Sequence, residues 1–427
     1  MPLLSLNDDV IKIIISFISS PDAWRFAQTC HYVYDAAISK YLSSVTIRGW
    51  QLKRFCAFVL AEPSRKLSIR ALEVFLGHDS ECFPAFIEVL RGAGSLRWLS
   101  IEDLCGLLQS QPSLRSVLAA IPNLEHISYL HIYQESLEVL THTVSRPRHL
   151  KVFFDINKGD APFWRTLEKF TDCLETLEWG VYCGQKPDSS IVWPRVHSLS
   201  VKQGTRCMAL SHLAHAFPNL RHLSIMARND IKFDTPHLWA SLDEVEARCF
   251  PFELFSCVRR LVLDVEIYKY TDLNRVLTML QHMSPVVLEC RTEYPGLISH
   301  LQSPALSLKY LQIYVARGDS KELHWPSIAR DLRSLPLTAL CLCNYFSWTT
   351  GVECDLVRLL GIAQQVAAML PTLGHLGFDT LLRRRDEGRV PRWFCVVSRD
   401  GDIPQLELLS REQGEELELR LSSLDRS

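Results

Sequence analysis

Hydrophobic residues recur along most of the chain in a short pattern that predicts β-strands. The pattern is an aliphatic residue, two others, a second aliphatic, one other and an apolar residue, so its last two apolar positions follow the strand period. Clear copies lie at 96–101, 174–179, 196–201, 220–225, 258–263, 308–313, 337–342 and 373–378, and looser copies begin at Leu124, Leu150, Leu242 and near Val286. Since copies start roughly every 20 to 30 residues, the chain is predicted to be a repeat protein.

Helical patterns separate the predicted strands. They lie at 83–90, 136–144, 208–217, 271–283 and 355–370. Proline often precedes the next strand, at Pro122, Pro218 and Pro371, where it ends the helix and favours extended backbone. One strand and one helix cannot bury their apolar faces alone, whereas stacked copies share a continuous core. The alternation therefore predicts a solenoid over residues 46–403, and an open parallel α/β sheet is the alternative.

The last part of the chain follows a different pattern. Residues 393–401 (WFCVVSRDG) predict a final strand and turn. Residues 404–427 are rich in Glu and Leu and form an acidic C-terminal tail, for which the pattern favours neither helix nor strand.

The first 45 residues predict three short helices. Asn7 can cap the first helix, whose apolar positions have helical spacing, and Ser20 with Pro21 marks the start of the second. The apolar positions of the first helix are Val10, Ile13, Ile14, Phe17 and Ile18, and the third helix runs from about His31 to Leu42. Three helices of this size bury too little surface to be stable alone. They must therefore pack on the rest of the chain or on a partner.

Composition excludes several classes of function. The formal net charge of −2 comes without a basic stripe, so no nucleic-acid partner is expected. The 14 cysteines include no C-x-x-C pair, which favours buried thiols in a reducing compartment, cytoplasmic or nuclear. No apolar run reaches the roughly 20 residues of a membrane span, so no membrane partner is expected.

No catalytic or cofactor motif is present in the sequence. Phosphate-binding glycine loops, a G-x-S-x-G elbow and an H-E-x-x-H helix are all missing. His212 and His215 lie three apart on a predicted helix, but nothing in the sequence completes a metal-ligand set with them. We therefore expect no catalytic residue, no metal and no cofactor, and an unrecognised hydrolase or transferase would need a deep polar pocket.

The N-terminal segment resembles the F-box family. The residues that match the family pattern are Leu6, Asp9, Val10, Ile13, Ile14, Phe17, Pro21, Asp22, Phe26, Thr29, Cys30 and His31, and Asn7 replaces the usual proline. The resemblance implies binding to a Skp-type adaptor of a cullin–RING ubiquitin ligase. By position, the implied contacts are Leu6, Val10, Ile14, Phe17, Ala23, Phe26, Thr29 and Cys30. The alternative is that residues 1–45 only cap the solenoid.

The repeats resemble the irregular leucine-rich-repeat family, which implies parallel strands on the concave side of the solenoid and helices on its convex side. The family's Asn ladder after each strand is missing, so the arc should be uneven. Residues between the aliphatic positions would face a target protein, as aromatic and Arg side chains on a rigid sheet often do. They are Trp98, His222, Arg260 and Tyr310 in one row, and Glu102, Lys202, Met226, Asp264 and Tyr314 in another.

Together the two resemblances imply a non-enzymatic substrate-recognition subunit of an SCF-type ubiquitin ligase. The first 45 residues would bind the Skp-type adaptor and, through it, the cullin scaffold, and the solenoid would bind an unidentified target protein. The alternative function is a leucine-rich-repeat interaction scaffold outside any ubiquitin ligase.

Overall fold

The structure is a computed structural model that describes most of the chain. The described residues are 7–75, 82–133, 136–154, 163–181, 189–203, 210–227, 239–248, 254, 256–264, 270–292, 296–301, 307–315, 325–344, 356–379, 391–400 and 403–425. The chain divides into two compact units, Met1–His197 and Ser198–Ser427.

The first unit begins with three helices and continues as alternating strands and helices. Its helices are α1 Asp8–Phe17, α2 Ser20–Ala27, α3 His31–Leu42, α4 Leu52–Leu60, α5 Pro63–Ser68, α6 Phe83–Gly92, α7 Leu104–Ser110, α8 Leu114–Ala120, α9 Leu137–His142 and α10 Phe163–Leu167. Its strands are β1 Ser44–Arg48, β2 Ala71–Phe75, β3 Trp98–Ile101, β4 His126–Ile132, β5 His149–Phe154 and β6 Thr176–Val181. Each strand pairs in parallel with the next, from β1 to β6.

The second unit continues the alternation and ends in an antiparallel turn-back. Its strands are β7 Ser198–Gln203, β8 His222–Ala227, β9 Ser241–Ala247, β10 Cys257–Asp264, β11 Val287–Thr292, β12 Tyr310–Val315, β13 Ala339–Asn344, β14 His375–Asp379, β15 Arg392–Ser398 and β16 Gln405–Leu408. Its helices are α11 Leu210–Ala216, α12 Tyr270–Met283, α13 Gly296–His300, α14 Trp325–Asp331, α15 Leu356–Met369 and α16 Arg411–Ser422. Strands β7 to β14 are parallel, and β15 and β16 are antiparallel to their neighbours.

The repeat prediction is confirmed at the level of the mostly parallel α/β repeat. Each of the twelve predicted copies contains a strand, and each predicted helical stretch contains a helix. Within each unit the strands pair in chain order, as in a solenoid, whereas a doubly wound sheet reverses its order at a switch point. The sequence pattern missed β1 and β2 and left the residues of β16 undecided between helix and strand.

The core lies on one face of the strands. Side chains alternate along a strand, so Leu99 and Ile101 of β3 point into the core and pack with the equivalent aliphatics of the neighbouring strands. Polar residues such as Glu73 and Lys151 occupy the opposite positions, and they are not buried. We call this opposite side the outer face; it carries Trp98, His126 and His149 in the first unit and His222, Arg260 and Tyr310 in the second.

The three N-terminal helices lie where the sequence predicts them, with one correction. The Asn7 side chain accepts a hydrogen bond from the Asp9 backbone N–H at 3.1 Å and caps α1. The cap of α2 is Ser19 and not Ser20: the Ser19 hydroxyl accepts from the Asp22 N–H and donates to the Asp22 carboxylate. Ser20 is already helical, and Pro21 stands in the first turn, where its missing N–H costs no hydrogen bond.

The predicted domain limits differ from the observed division. Strand β1 begins at Ser44, inside the predicted N-terminal module, and pairs with β2. The predicted tail folds as β16 and α16, with β16 paired to β15. Whether residues 1–45 and 404–427 behave as separate modules stays a prediction. Within the described ranges, every helix is too short or too polar to cross a bilayer.

Candidate interaction surfaces

Helix α1 carries apolar side chains on two faces. Ile11 and Ile15 are buried in the contact with α3. On the other face, Val10, Ile13, Ile14 and Phe17 are exposed, Ile13 by 58% and Phe17 by 85%. Positions 10, 13, 14 and 17 lie on one side of a helix because residues 13, 14 and 17 follow residue 10 by three, four and seven positions. We call these four residues the α1 stripe.

Helix α3 holds α1 in place by polar contacts at both ends. The Tyr32 hydroxyl donates a hydrogen bond to the Asp8 carboxylate, which raises the pKa of Tyr32. The Lys40 ammonium donates to the Ser16 carbonyl oxygen at 3.0 Å. These contacts fix the orientation of the helix, so the α1 stripe stays on the outside. Ile13 belongs to this surface, although it is not among the contacts that the F-box resemblance implies.

The other predicted adaptor contacts differ in exposure. Phe26 and Cys30 are half-buried, and Thr29 is exposed, its hydroxyl donating to the Phe26 carbonyl oxygen at 2.8 Å. Ala23 is fully buried among the chain's own residues, so a partner cannot contact its side chain. Leu6 lies outside the described residues. The structure thus groups Val10, Ile14 and Phe17 on one surface and removes Ala23 from it.

Helices α2 and α3 are tied to the elements that follow them. The Trp24 ring lies 5.1 Å from the Tyr41 ring and 5.8 Å from the Phe58 ring, which belongs to α4. The Arg65 guanidinium donates to the Tyr34 hydroxyl at 2.9 Å and to the Phe58 carbonyl oxygen at 2.7 Å. The three helices therefore rest on the first repeat by α2 and α3.

In the first unit the outer face exposes an aromatic ladder. Trp98 is 47% exposed, and its ring stacks on the His126 imidazole with 3.8 Å between centroids. The His149 ring follows at 5.8 Å, and Lys151 and Glu178 form an ion pair at 3.0 Å beside it. Burial lowers the pKa of His126 to about 4, with a smaller effect of the charge of His149, so this imidazole is neutral near pH 7. Trp98 is thus open to a partner.

Glu102 is half-buried just after β3. Its backbone N–H donates to the Val74 carbonyl oxygen at 3.1 Å, which continues the hydrogen bonding between β2 and β3 by one residue.

In the second unit the register aligns the predicted row. Strand pairing connects His222 to Arg260 through Glu244, and Arg260 to Tyr310 through Val287. The Arg260 guanidinium bridges two acids on neighbouring strands, Glu244 at 3.3 Å and Glu289 at 3.0 Å. Its charge is largely neutralised inside the sheet, which limits its use as an anchor for a target.

The predicted second row shows the same internal pairing. Asp264 forms an ion pair with Arg291 at 3.6 Å, and Arg291 is aligned with Tyr314 on the next strand. Lys202 and Met226 are aligned with each other on β7 and β8. Tyr314 is half-buried and accepts a hydrogen bond from the Gln312 amide.

Helix α16 covers the outer face over β11 to β15, which corrects the prediction for Tyr310. Tyr310 is only 6% exposed because it lies in a cluster beneath this helix and cannot anchor a target while the helix is in place. The cluster comprises Val286, Val287, Tyr310, Ala339, Cys341, Cys343, Trp393, Leu417 and Leu421. This contact could not be predicted from the sequence, because the tail's pattern does not specify the surface on which it packs.

Two buried thiols lie beneath α16. The Cys341 and Cys343 sulfurs are 3.8 Å apart on one side of β13. The mutual hydrogen bond and burial raise the pKa of Cys341 far above its ordinary value, so this thiol is unreactive while covered. Across the described ranges, no group of three or more His, Cys, Asp or Glu side chains could hold a metal ion.

Comparisons with known proteins give one distant structural similarity. No family model matches the chain, and no curated protein sequence matches it significantly. Among solved structures, the chain is similar to one in the yeast complex of Rad7 and Elc1, with 12% identity and a TM-score of 0.35. The match covers 78% of this chain and 88% of the other. At that identity and TM-score the similarity says nothing about what this chain binds.

Proposed function

We propose that this chain is the substrate-recognition subunit of an SCF-type ubiquitin ligase. Helices α1 to α3 bind a Skp-type adaptor, which connects the chain to a cullin scaffold, and the repeats bind a target protein. The chain itself performs no chemistry; it brings the target close to the ubiquitin-charged enzyme.

The α1 stripe carries this proposal. Four large apolar side chains on one side of a ten-residue helix stay exposed, although the chain's own core accepts Ile11 and Ile15 from the same helix. Burying one such side chain stabilises a complex by roughly 1.5–3 kcal/mol. A partner that covers the stripe therefore gains several such contacts from a helix that is already formed. The F-box resemblance of the same residues favours a Skp-type adaptor as that partner.

The alternative, an end cap of a scaffold outside any ligase, is favoured by the contacts of Trp24 and Arg65. These contacts cover the start of the repeats from within the chain. An end cap accounts for the buried side of the module, but it leaves the α1 stripe without a role. The two functions can therefore be separated by substitutions confined to the stripe.

The test is co-purification of the full chain with a Skp-type adaptor, before and after Ile13→Asp and Phe17→Asp. Because both side chains are exposed in the free chain, we expect unchanged folding and an affinity lower by at least about 30-fold, or roughly 2 kcal/mol. Val144→Asp is the matched control, since Val144 is an exposed aliphatic, 61% accessible, outside the module.

Two results would contradict the proposal. If the unaltered chain does not associate with the adaptor, the ligase function is lost and the scaffold remains. If Val144→Asp weakens association as much as the α1 substitutions do, the contact is not made by the α1 stripe.

A further inference from the structure

Helix α16 presents one apolar side, and its other positions have a net negative charge, with four glutamates against two arginines, Arg411 and Arg420. Gly414, Leu417 and Leu421 are buried against the sheet, and they are spaced three and four residues apart. Leu424 packs against the same cluster. The remaining positions include four glutamates at 412, 415, 416 and 418, and Leu419 is 73% exposed. The helix thus has the pattern of a segment that inserts one apolar side into a groove.

The surface under α16 has the matching chemistry. Val287, Tyr310, Ala339 and Cys341 supply apolar contacts from three adjacent strands, and Trp393 closes the groove at the antiparallel end. Basic residues stand at its rim: Arg259 donates to the Ser422 carbonyl oxygen, and Lys309 donates to the Asp425 carbonyl oxygen at 3.2 Å. Donors at this rim suit the carbonyl end of a bound helix, where the macrodipole is negative.

Helix α16 buries fewer large side chains than helix α6 does. Helix α6 buries Phe83, Phe86, Ile87, Val89 and Leu90 within ten residues. Helix α16 buries two leucines and a glycine within twelve. In addition, the Trp393 indole N–H lies buried beneath it without a hydrogen-bond partner among the described residues, which is a cost of this closed arrangement. Segments with few buried apolar contacts open before the rest of a domain does.

We propose that the outer face of β11 to β15 is a binding site for one acidic amphipathic helix, and that α16 occupies it until a target helix of the same pattern displaces it. The proposal rests on the proposed role of the repeats in holding a target. It names the class of target, a helix with apolar residues at i, i+4 and i+7, like Leu417, Leu421 and Leu424, and with acidic flanks. It also explains why Tyr310, in the predicted target row, is covered in the free chain.

The first experiment uses the full chain and a fluorescently labelled peptide of residues 409–425. In Leu417→Glu/Leu421→Glu the cis helix loses its apolar side, so the site becomes free. We expect the peptide to bind this variant at least about tenfold more tightly than it binds the unaltered chain. In the unaltered chain the peptide can bind only the molecules whose own α16 has left the site, which lowers the apparent affinity. Leu419→Glu is the matched control, since that leucine points to solvent, and it should behave like the unaltered chain.

Alkylation of Cys341 and Cys343, read by mass spectrometry of the peptides that contain them, reports opening in the same samples. If these thiols become reactive in the double variant while the peptide does not bind, the cover opens over a surface that binds no helix, and the proposal is overturned. A dimer that forms by exchange of α16 between copies would also overturn it, because the second occupant would then be this chain and not a target.

A measurement on the unaltered chain covers the case in which the double variant fails to fold. Amide hydrogen exchange of α16 should be faster than amide exchange in β11 to β13 by on the order of tenfold or more. Alkylation of the two thiols should likewise occur without global unfolding. Equal protection would show that α16 opens only with global unfolding and would overturn the proposal. Adaptor co-purification of the double variant should stay unchanged, so a failure here is distinct from a failure of the ligase function.

Discussion

The outer face is open at β3 in the first unit and covered by α16 over β11 to β15 in the second. Trp98 and Tyr310 occupy the same position of their repeats, the third residue of the pattern, yet Trp98 is 47% exposed and Tyr310 only 6%. The local pattern is the same in both cases and sets the same side-chain direction. The difference comes from a segment about a hundred residues distant in the sequence, the helix α16. The availability of a repeat surface is therefore decided by tertiary contacts and not by the repeat.

The largest effect in this comparison should come from Trp393→Ala. The indole fills the space between the sheet and α16, and its ring leaves only 3.0 Å to a Cβ built on Gly377. Its removal leaves a cavity under the cover, so we expect a loss of about 3–5 kcal/mol in the free energy of unfolding of the second unit. Urea unfolding followed by far-UV circular dichroism measures it. A loss below about 1 kcal/mol would mean that α16 is not part of the folded core.

Leu417→Ala should have the next largest effect, and Leu419→Ala serves as its control. Both residues lie on α16, but only Leu417 is buried, at 3% exposure, whereas Leu419 is 73% exposed. We expect about 2–3 kcal/mol of destabilisation for the first and less than about 0.5 kcal/mol for the second. Similar values for the two variants, measured by urea unfolding, would contradict the observed orientation of the helix.

The sequence predicted the parts of this comparison that depend on local pattern. Alternation at 308–313 placed Tyr310 opposite Leu311, and the strand register shows that direction. The exposure of Tyr310 could not be predicted, because Leu417 and Leu421 specify an apolar side for α16 but not the surface that receives it. The same limit applies to the thiol pair, which the sequence shows only as two cysteines in a strand.

Helix α1 shows a second limit of pattern reasoning. The segment from Val10 to Ile18 is apolar on nearly all sides, so a helical projection cannot choose which side is buried. The structure buries Ile11 and Ile15 and leaves the α1 stripe outside. The F-box resemblance implied contacts at Val10, Ile14 and Phe17, whereas the burial of Ile11 and Ile15 is visible only in the structure. The helix boundaries, in contrast, followed from local capping by Asn7 and from Pro21.

Trp98→Ala should have a small effect on stability, in contrast to Trp393→Ala. The exposed indole contributes mainly its stacking on His126, and such aromatic pairs contribute about 0.5–1.5 kcal/mol. We expect a loss of no more than about 1 kcal/mol in the free energy of unfolding of the first unit, measured by urea titration. A loss comparable to that of Trp393→Ala would mean that Trp98 is a core residue and not a free anchor.

The remaining prediction concerns the pH dependence of the open face. Burial lowers the pKa of His126 to about 4, below its ordinary value of 6.5, so protonation favours the unfolded chain. The neutral imidazole therefore contributes fully above pH 6.5, and stability should decrease as the pH falls from there towards 4. In His126→Gln this part of the decrease should be missing, so the urea midpoints of the two proteins should converge between pH 7 and 4.5.

Because the Trp98 ring covers one face of the His126 imidazole, Trp98→Ala should move the pKa of His126 back towards its ordinary value, which NMR titration of the imidazole measures. Urea midpoints that stay parallel with pH, or an unchanged pKa of His126 in Trp98→Ala, would show that the aromatic ladder does not shield His126 from water.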